Sequence, residues 1–400
     1  MMQENKLSIN CGAACLIRDS QGMFDQVQAL NLNCGILLIS EELNARLAAT
    51  QANINCDRTV VTGYQGEFLQ ISQNSPDGAD FSGKFILIAG SLLVTEAGAR
   101  ALAGADGVLV SGTLYYPENC SGLLAGVIGE KRPYPADAFP IVGNRKLNRL
   151  LHETDALSIW VSGEVSALEE AALVQAKERG VSIRCGRLLM EEKTHAVYGD
   201  LFRTAEVELI PEGYVVTDSL HLTGAAADLY GTRLYVRGDL LLKRADADCL
   251  SRFEAIRVTG CATLPAVCAK AFRAVGSAEY YRVSDGDGYT INGWESFSHA
   301  RLSGMVERGE KMDLDINGYA LFDDDVTAED MKAFSSIVCN GFMILPGEAQ
   351  GALTGSRVEI NGFTATPESC QQITGMTLEE ARQQMSSGGN AINTDLYVML

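Results

Sequence analysis

Three stretches, YTINGWE (289–295), LDINGYA (314–320) and VEINGFT (358–364), repeat the triplet Ile-Asn-Gly, and SIVCNGF (336–342) repeats the step with Cys339 in place of isoleucine. A step that returns at a fixed interval marks one unit of a repeating architecture, so its spacing decides how the chain is to be read. Strict copies of apolar-x-apolar-x-Gly end at Gly90, Gly112, Gly238, Gly260, Gly318, Gly341 and Gly362. Looser ones end at Gly12, Gly35, Gly163, Gly186, Gly213 and Gly293, with Asp57 standing where another glycine would fall. Most intervals between neighbours lie between 21 and 25 residues; the exceptions are 33 (57 to 90 and 260 to 293), 51 (112 to 163) and 27 (186 to 213).

Each unit has a physical reading. Residues four and two places before the glycine are apolar, as in Leu234 and Val236, Ile256 and Val258, Leu314 and Ile316, or Val358 and Ile360. That period of two belongs to a strand with one buried face. The glycine is expected to supply a position with φ > 0, and aspartate at 57 tolerates the same conformation. Five places later stand Pro117, Pro265, Pro346 and Pro367, or Ser40, Thr95, Asp218 and Asp323, residues suited to a helix start. Ser166 with Glu169 and Thr377 with Glu380 have the spacing of capping boxes.

A unit of strand, turn, short strand and helix in so few residues cannot bury its apolar face alone and must stack on its neighbours. In unit length and order of elements the chain resembles leucine-rich-repeat solenoids, although Gly stands near the place of that family's Asn and its LxxLxLxxN run is absent. The resemblance implies an α/β repeat solenoid of about 14–15 strand-turn-strand-helix coils over residues 1–376, irregular near 57–90 and 112–163. A β-helix with helical corners is the alternative cross-section. Residues 377–400 are expected to cap the array with a helix and a last strand.

Charge and composition narrow the function. The chain of 400 residues carries 32 Lys and Arg against 51 Asp and Glu, a net charge of −19, which repels phosphate backbones and makes nucleic acid an unfavourable partner. No stretch is long and apolar enough for a membrane span or a signal peptide. The 11 cysteines, many inside apolar strand patterns, read as free thiols in a reducing compartment, so a cytoplasmic location is expected.

No motif for a catalytic centre, metal or cofactor stands out, and none of the three is expected. GADFSGKF (78–85) has the glycine and lysine spacing of a phosphate loop, but Phe85 replaces the hydroxyl residue and a strand follows instead of a helix. Asp285 and Asp287 lie on a glycine-rich turn without the remaining ligands of a calcium loop. The four histidines, His152, His195, His221 and His299, fall in no metal motif.

Trp160, Tyr235 and Arg257 are residue types that anchor interfaces, and they take strand positions expected to face outward, as do Asp315 and Glu359. The turn residues Asn292, Gly293, Asn317, Gly318, Asn340, Gly341, Asn361 and Gly362 recur in four successive units, and in register their amides would form a ladder. The resulting expectation is a non-catalytic protein-binding or scaffolding protein with another protein, basic in character, as partner. Self-assembly into a structural polymer and a carbohydrate-active enzyme with clustered carboxylates are the alternatives.

Overall fold

The computed structural model describes residues 6–19, 22, 29–49, 52–71, 76–284, 286–353, 357–369 and 391–399. The chain divides into two compact units, the first made of residues 1–209 and 388–400 and the second of residues 210–387.

The first unit holds three parallel sheets. Strands β1 (Lys6–Leu16), β2 (Ala29–Ser40) and β3 (Asn53–Thr62) pair in order, and the C-terminal strand Ala391–Met399 completes the sheet on the far side of β1. Helix α1 (Glu41–Ala48) starts at Ser40, whose Oγ accepts the Leu43 N–H at 3.3 Å, and it lays Leu43 and Leu47 on Ile9, Leu32 and Ile39.

A second sheet is built from β4 (Glu67–Ile71), β5 (Lys84–Ile88), β6 (Leu92–Leu93), β7 (Gly107–Pro117) and β8 (Ile128–Tyr134). In β5 the run Phe85-Ile86-Leu87-Ile88 is apolar without alternation because both faces are covered, as parallel strands require. Ile86 and Ile88 meet helix α2 (Glu96–Ala103), whereas Phe85 and Leu87 meet Ala13, Cys15, Leu38 and Leu396 of the first sheet.

The third sheet takes β9 (Phe139–Ile141), β10 (Arg145–Lys146), β11 (Ser158–Ala167), β12 (Ser182–Glu191), β13 (Phe202–Arg203) and β14 (Glu206–Ile210). Helices α3 (Leu147–Glu153) and α4 (Glu170–Arg179) bury Leu150, Leu151 and Leu173 on its Ile159, Val161 and Ile183, and α5 (Glu192–Tyr198) follows β12.

In the second unit β15 (Val215–Thr217), β16 (Leu220–Leu222), β17 (Arg233–Val236), β18 (Leu240–Leu242), β19 (Ala255–Pro265) and β20 (Gly276–Ser284) form one sheet that curls close to a barrel. Helices α6 (Gly224–Tyr230) and α7 (Ala266–Val275) pack on it through Ala226, Cys268 and Phe272. The described residues that follow in this unit form a pair of sheets. Strands β21 (Asp287–Ile291), β23 (Met312–Ile316), β25 (Phe334–Cys339) and β27 (Arg357–Ile360) make one, and β22 (Trp294–Phe297), β24 (Tyr319–Phe322), β26 (Phe342–Ile344) and β28 (Phe363–Ala365) make the other. Helices α8 (His299–Glu307) and α9 (Gly347–Ala352) close their shared core on Phe297, Phe322, Phe334 and Met343.

The single solenoid stack expected from the spacing does not form, whether as a leucine-rich-repeat array or as a β-helix. Among the described residues the strands fall into six separate parallel sheets; the last two alternate strand by strand, and the other changes of sheet fall within or at the end of the long intervals. Parallel ladders run from Gly12 to Asp57, from Gly90 to Gly112, from Gly163 to Gly186, from Gly213 to Gly260 and from Gly293 to Gly362. Between these groups lie the steps of 33, 51, 27 and 33 residues. A longer connection lets the next strand start its own sheet instead of adding to the last one. The last strand likewise pairs with β1 and does not follow the strand after Gly362, and the capping helix expected at the start of residues 377–400 lies outside the described residues.

Local signals have mixed outcomes. Ser40, Thr95, Pro265 and Pro346 do begin helices, and Pro117 begins a single 3-10 turn. Ser166 does not cap, because it remains inside β11, and α4 begins from Glu169 with no side-chain cap. The turn glycine has positive φ at Gly90, Gly213 and Gly238, but not at Gly293, Gly318, Gly341 or Gly362. At the latter three of these four the requirement is a different one: a Cβ on Gly318, Gly341 or Gly362 would fall on the carbonyl oxygen or carbon of the preceding corner.

Candidate functional site

The four Asn-Gly corners of the second unit are stitched to one another through the backbone. The N–H groups of Asn317 and Gly318 both donate to Ile291 O (2.8 and 3.1 Å), and the Tyr319 N–H donates to Gly293 O at 2.8 Å. Asn340, Gly341 and Phe342 repeat the pattern on Ile316 and Gly318, and Asn361, Gly362 and Phe363 repeat it on Cys339 and Gly341, all between 2.8 and 2.9 Å. Side chains add a second line of bonds. Asn317 Nδ2 donates to Asn292 Oδ1 (3.1 Å), Asn340 to Asn317 (3.0 Å) and Asn361 to Asn340 (3.0 Å), an asparagine ladder with one rung per strand.

So tightly fixed a corner dictates where the next residue points. That residue is aromatic in all four copies, and the registers place Trp294, Tyr319, Phe342 and Phe363 opposite one another across β22, β24, β26 and β28. Trp294 and Tyr319 are each 49% exposed and Phe363 is 66% exposed, while Phe342 lies half-buried against Leu321, Ile344 and Ala365. Successive rings contact at 6.2 Å (Tyr319 to Phe342, inclined by 52°) and 6.5 Å (Phe342 to Phe363, inclined by 39°). Four rings across three strand spacings cover about 14 Å. Exposed aromatics gathered in this way are uncommon on a surface with no partner. Ile360, also exposed, and Glu359 lie on the strand leading into the last corner, and Glu359 Oε1 accepts a bond from Asn361 Nδ2 at 3.0 Å.

The interaction residues expected from sequence are scattered by comparison. Trp160 is in the first unit, its ring between those of Tyr115 (5.8 Å) and Tyr134 (5.7 Å), so it joins neighbouring sheets. Tyr235 is only 3% exposed, and the guanidinium of the exposed Arg257 lies over its ring at 5.8 Å. Asp315 takes both arms of Arg282, at 2.7 and 3.0 Å, which commits the carboxylate to an ion pair. Glu359 is in the same column as Asp315, with Val338 between them. Of that set only Glu359 borders the aromatic column. The aromatics lie outside that set, although each follows its glycine directly, a signal present in all four repeats.

A cleft of about 740 Å³ opens in the first unit, with Ser91, Ser111, Arg145, Glu153 and Asp395 among its lining residues. Its polar groups are largely engaged. Ser111 Oγ accepts the Gly90 N–H at 2.7 Å, Ser91 Oγ accepts the Thr113 N–H at 3.0 Å, and Arg145 Nε donates to Glu153 at 3.2 Å. Neither serine hydroxyl has a histidine beside it in the lining.

In the second unit His299 Nδ1 bonds to the buried carboxylate of Asp330 at 2.8 Å. The Asp330 partnership pushes the imidazole pKa up. Burial works against the Asp330 anion, but the Thr327 N–H, His299 and the Thr327 hydroxyl outweigh it and hold the carboxyl below its usual value. This arrangement secures the turn that leads into β25. Among the described residues no three His, Cys, Asp or Glu side chains gather closely enough to hold a metal ion, and no helix is long and apolar enough to cross a membrane. Comparison of the chain with protein-family models, characterised proteins and solved structures gives no match, so the aromatic column and its asparagine ladder are read from their own geometry.

Proposed function

We propose that this is a non-catalytic binding protein whose contact surface is the column Trp294, Tyr319, Phe342 and Phe363, and whose partner is a protein segment carrying apolar and basic side chains. The observation that carries the reading is the exposure of in-register aromatic rings on a backbone that cannot shift them. Preformed aromatic anchors bind at low entropic cost and dominate interface energies. A net charge of −19 draws a basic partner towards the surface, and Arg or Lys can settle over the indole and phenol faces. A sugar chain is served less well, because the inclinations of 52° and 39° between neighbouring rings deny it a flat platform.

The test uses the full chain, immobilised as wild type and as the triple variant Trp294→Ala, Tyr319→Ala, Phe363→Ala, against extracts of its native source and against soluble glycans. The expected result is a partner protein retained by the wild type and weakened at least about 30-fold in the variant, equivalent to a hot-spot loss of about 2 kcal/mol. Retention of the same partner by both proteins, with the variant folded by circular dichroism, overturns the proposal. Glycan retention by the wild type alone would replace it with a carbohydrate-binding role.

A further inference from the structure

The first unit has its own corner column. Asn10, Asn33 and Asn55 stand opposite one another across β1, β2 and β3, and the next residue in each strand is a cysteine, so Cys11 faces Cys34 and Cys34 faces Cys56. Asn33 Nδ2 donates to Asn10 Oδ1 at 2.8 Å, which holds the first two strands in this register. Paired positions on adjacent strands lie about 4.8 Å apart at Cα, inside the range that a disulfide spans. Cys11 and Cys56 are partly exposed, and Cys34 between them is 8% exposed. Cys11 and Cys56 are therefore about 10 Å apart, too far to share one metal ion with Cys34.

We propose that Cys11 and Cys34 form a dithiol site that reduces a small hydroperoxide and closes as a disulfide. The Cys11 thiolate attacks the distal oxygen of the peroxide; the O–O bond breaks, the leaving oxygen departs as water or alcohol, and Cys11 becomes a sulfenic acid. Cys34 then attacks that sulfur, expelling a second water and forming the S–S bond, so that two thiols are oxidised as one peroxide is reduced. The order follows from the setting. Cys11 is the more accessible of the two, Cys34 being 8% exposed, and the neighbouring Cys34 thiol lowers the Cys11 pKa, whereas the Cys11 neighbour and burial raise that of Cys34. A thiolate is the attacking species, which makes Cys11 the first to react and Cys34 the resolving partner. Cys15, four residues on from Cys11, provides a built-in contrast: it is fully buried and burial pushes its thiol up to about 12.

The experiment exposes the reduced full-length protein to one equivalent of hydrogen peroxide, alkylates the remaining thiols and maps the tryptic peptides by mass spectrometry. Arg18 and Arg46 place Cys11, Cys34 and Cys56 on three different peptides, and fragment sequencing separates Cys11 from Cys15. The expected product joins the Cys11 and Cys34 peptides, forms at least about tenfold faster than any other cysteine is oxidised, and is reversed by dithiothreitol. In Cys34→Ser the reaction should stop at a sulfenic acid on Cys11 that dimedone traps, while Cys56→Ser should leave the disulfide unchanged. Oxidation spread evenly over the cysteines, or a Cys34–Cys56 disulfide with Cys11 still alkylated, overturns the assignment. The wild-type map decides the matter even if a serine variant fails to fold.

Discussion

At Gly341 two requirements that glycine can meet are separated. Left-handed backbone is not needed there, since φ is not positive, yet a Cβ would collide with the carbonyl oxygen of Gly318. Gly341→Ala should therefore cost about 3 kcal/mol or more, far beyond the gain that alanine brings by restricting the unfolded chain, because a backbone oxygen within a stitched ladder has nowhere to go. Gly293 is the internal control: it opens the column, a Cβ there meets nothing within 4 Å, and Gly293→Ala should be close to neutral in urea unfolding. Asn340 makes a related point with polar groups. It donates to Asn317 and accepts from Asn361, so Asn340→Asp replaces a needed donor with an acceptor and should lose about 1–2 kcal/mol, with the loss shrinking as the carboxyl is protonated at low pH. Equal stability of Asn340→Asp and wild type at neutral pH would show that the ladder contributes nothing.

Among the elements, the turn before β25 links sequence to a pH dependence. His299 gains a carboxylate partner on folding, so its contribution is complete below the ordinary histidine pKa of about 6.5 and fades as pH rises through the raised folded value. Asp330 behaves oppositely: its contribution is complete above about pH 4 and is lost as pH falls through the depressed folded value. Both are in force between those limits. His299→Gln should lower the melting temperature at pH 5.5 more than at pH 8.5, and equal effects at the two pH values would rule out the charged pair. Neither residue announced this role in sequence, since His299 and Asp330 are 31 positions apart and belong to no motif. What was legible at this scale came from local chemistry. Ser40 and Thr95 mark helix starts because their hydroxyls accept N–H bonds three residues on, which needs no tertiary partner. The apolar positions two and four before Gly238, Gly260 and Gly318, among them Leu314 and Ile316, are buried as their period of two required, whereas Ile360 before Gly362 is exposed. The outward aromatics are not legible from a pattern that marks only the buried face, and Tyr235 departs from its outward expectation because the Arg257 side chain and its surroundings cover a strand face that alternation alone would leave open.

Across the whole molecule, regular spacing does not imply a continuous stack. Intervals of 21 to 25 residues did identify strands that lie side by side, as between Gly293 and Gly362, but one sheet gives way to another within the steps of 33 and 51 residues and at the end of the step of 27. A closing strand drawn from the far end of the chain could not be read from spacing at all. Strand 391–399 pairs with β1 through Ser8 to Leu16, its Met399 O accepts the Ile17 N–H at 2.8 Å, and Leu396 enters the core between the first two sheets beside Ala13 and Leu87. Removing residues 388–400 would leave β1 paired with β2 alone, expose a long bare edge and open that core, so the first unit should lose several kcal/mol and become prone to associate through the edge. The chain's two tryptophans make this measurable, because Trp160 belongs to the first unit and Trp294 to the second. In the truncated protein carrying Trp294→Phe, the unfolding midpoint read by Trp160 should fall well below that of the untruncated Trp294→Phe protein. In the matching pair carrying Trp160→Phe, the signal of Trp294 should move less. A Trp160 midpoint untouched by the truncation would mean that the first sheet stands without its C-terminal strand, and that the return of the chain to β1 closes nothing.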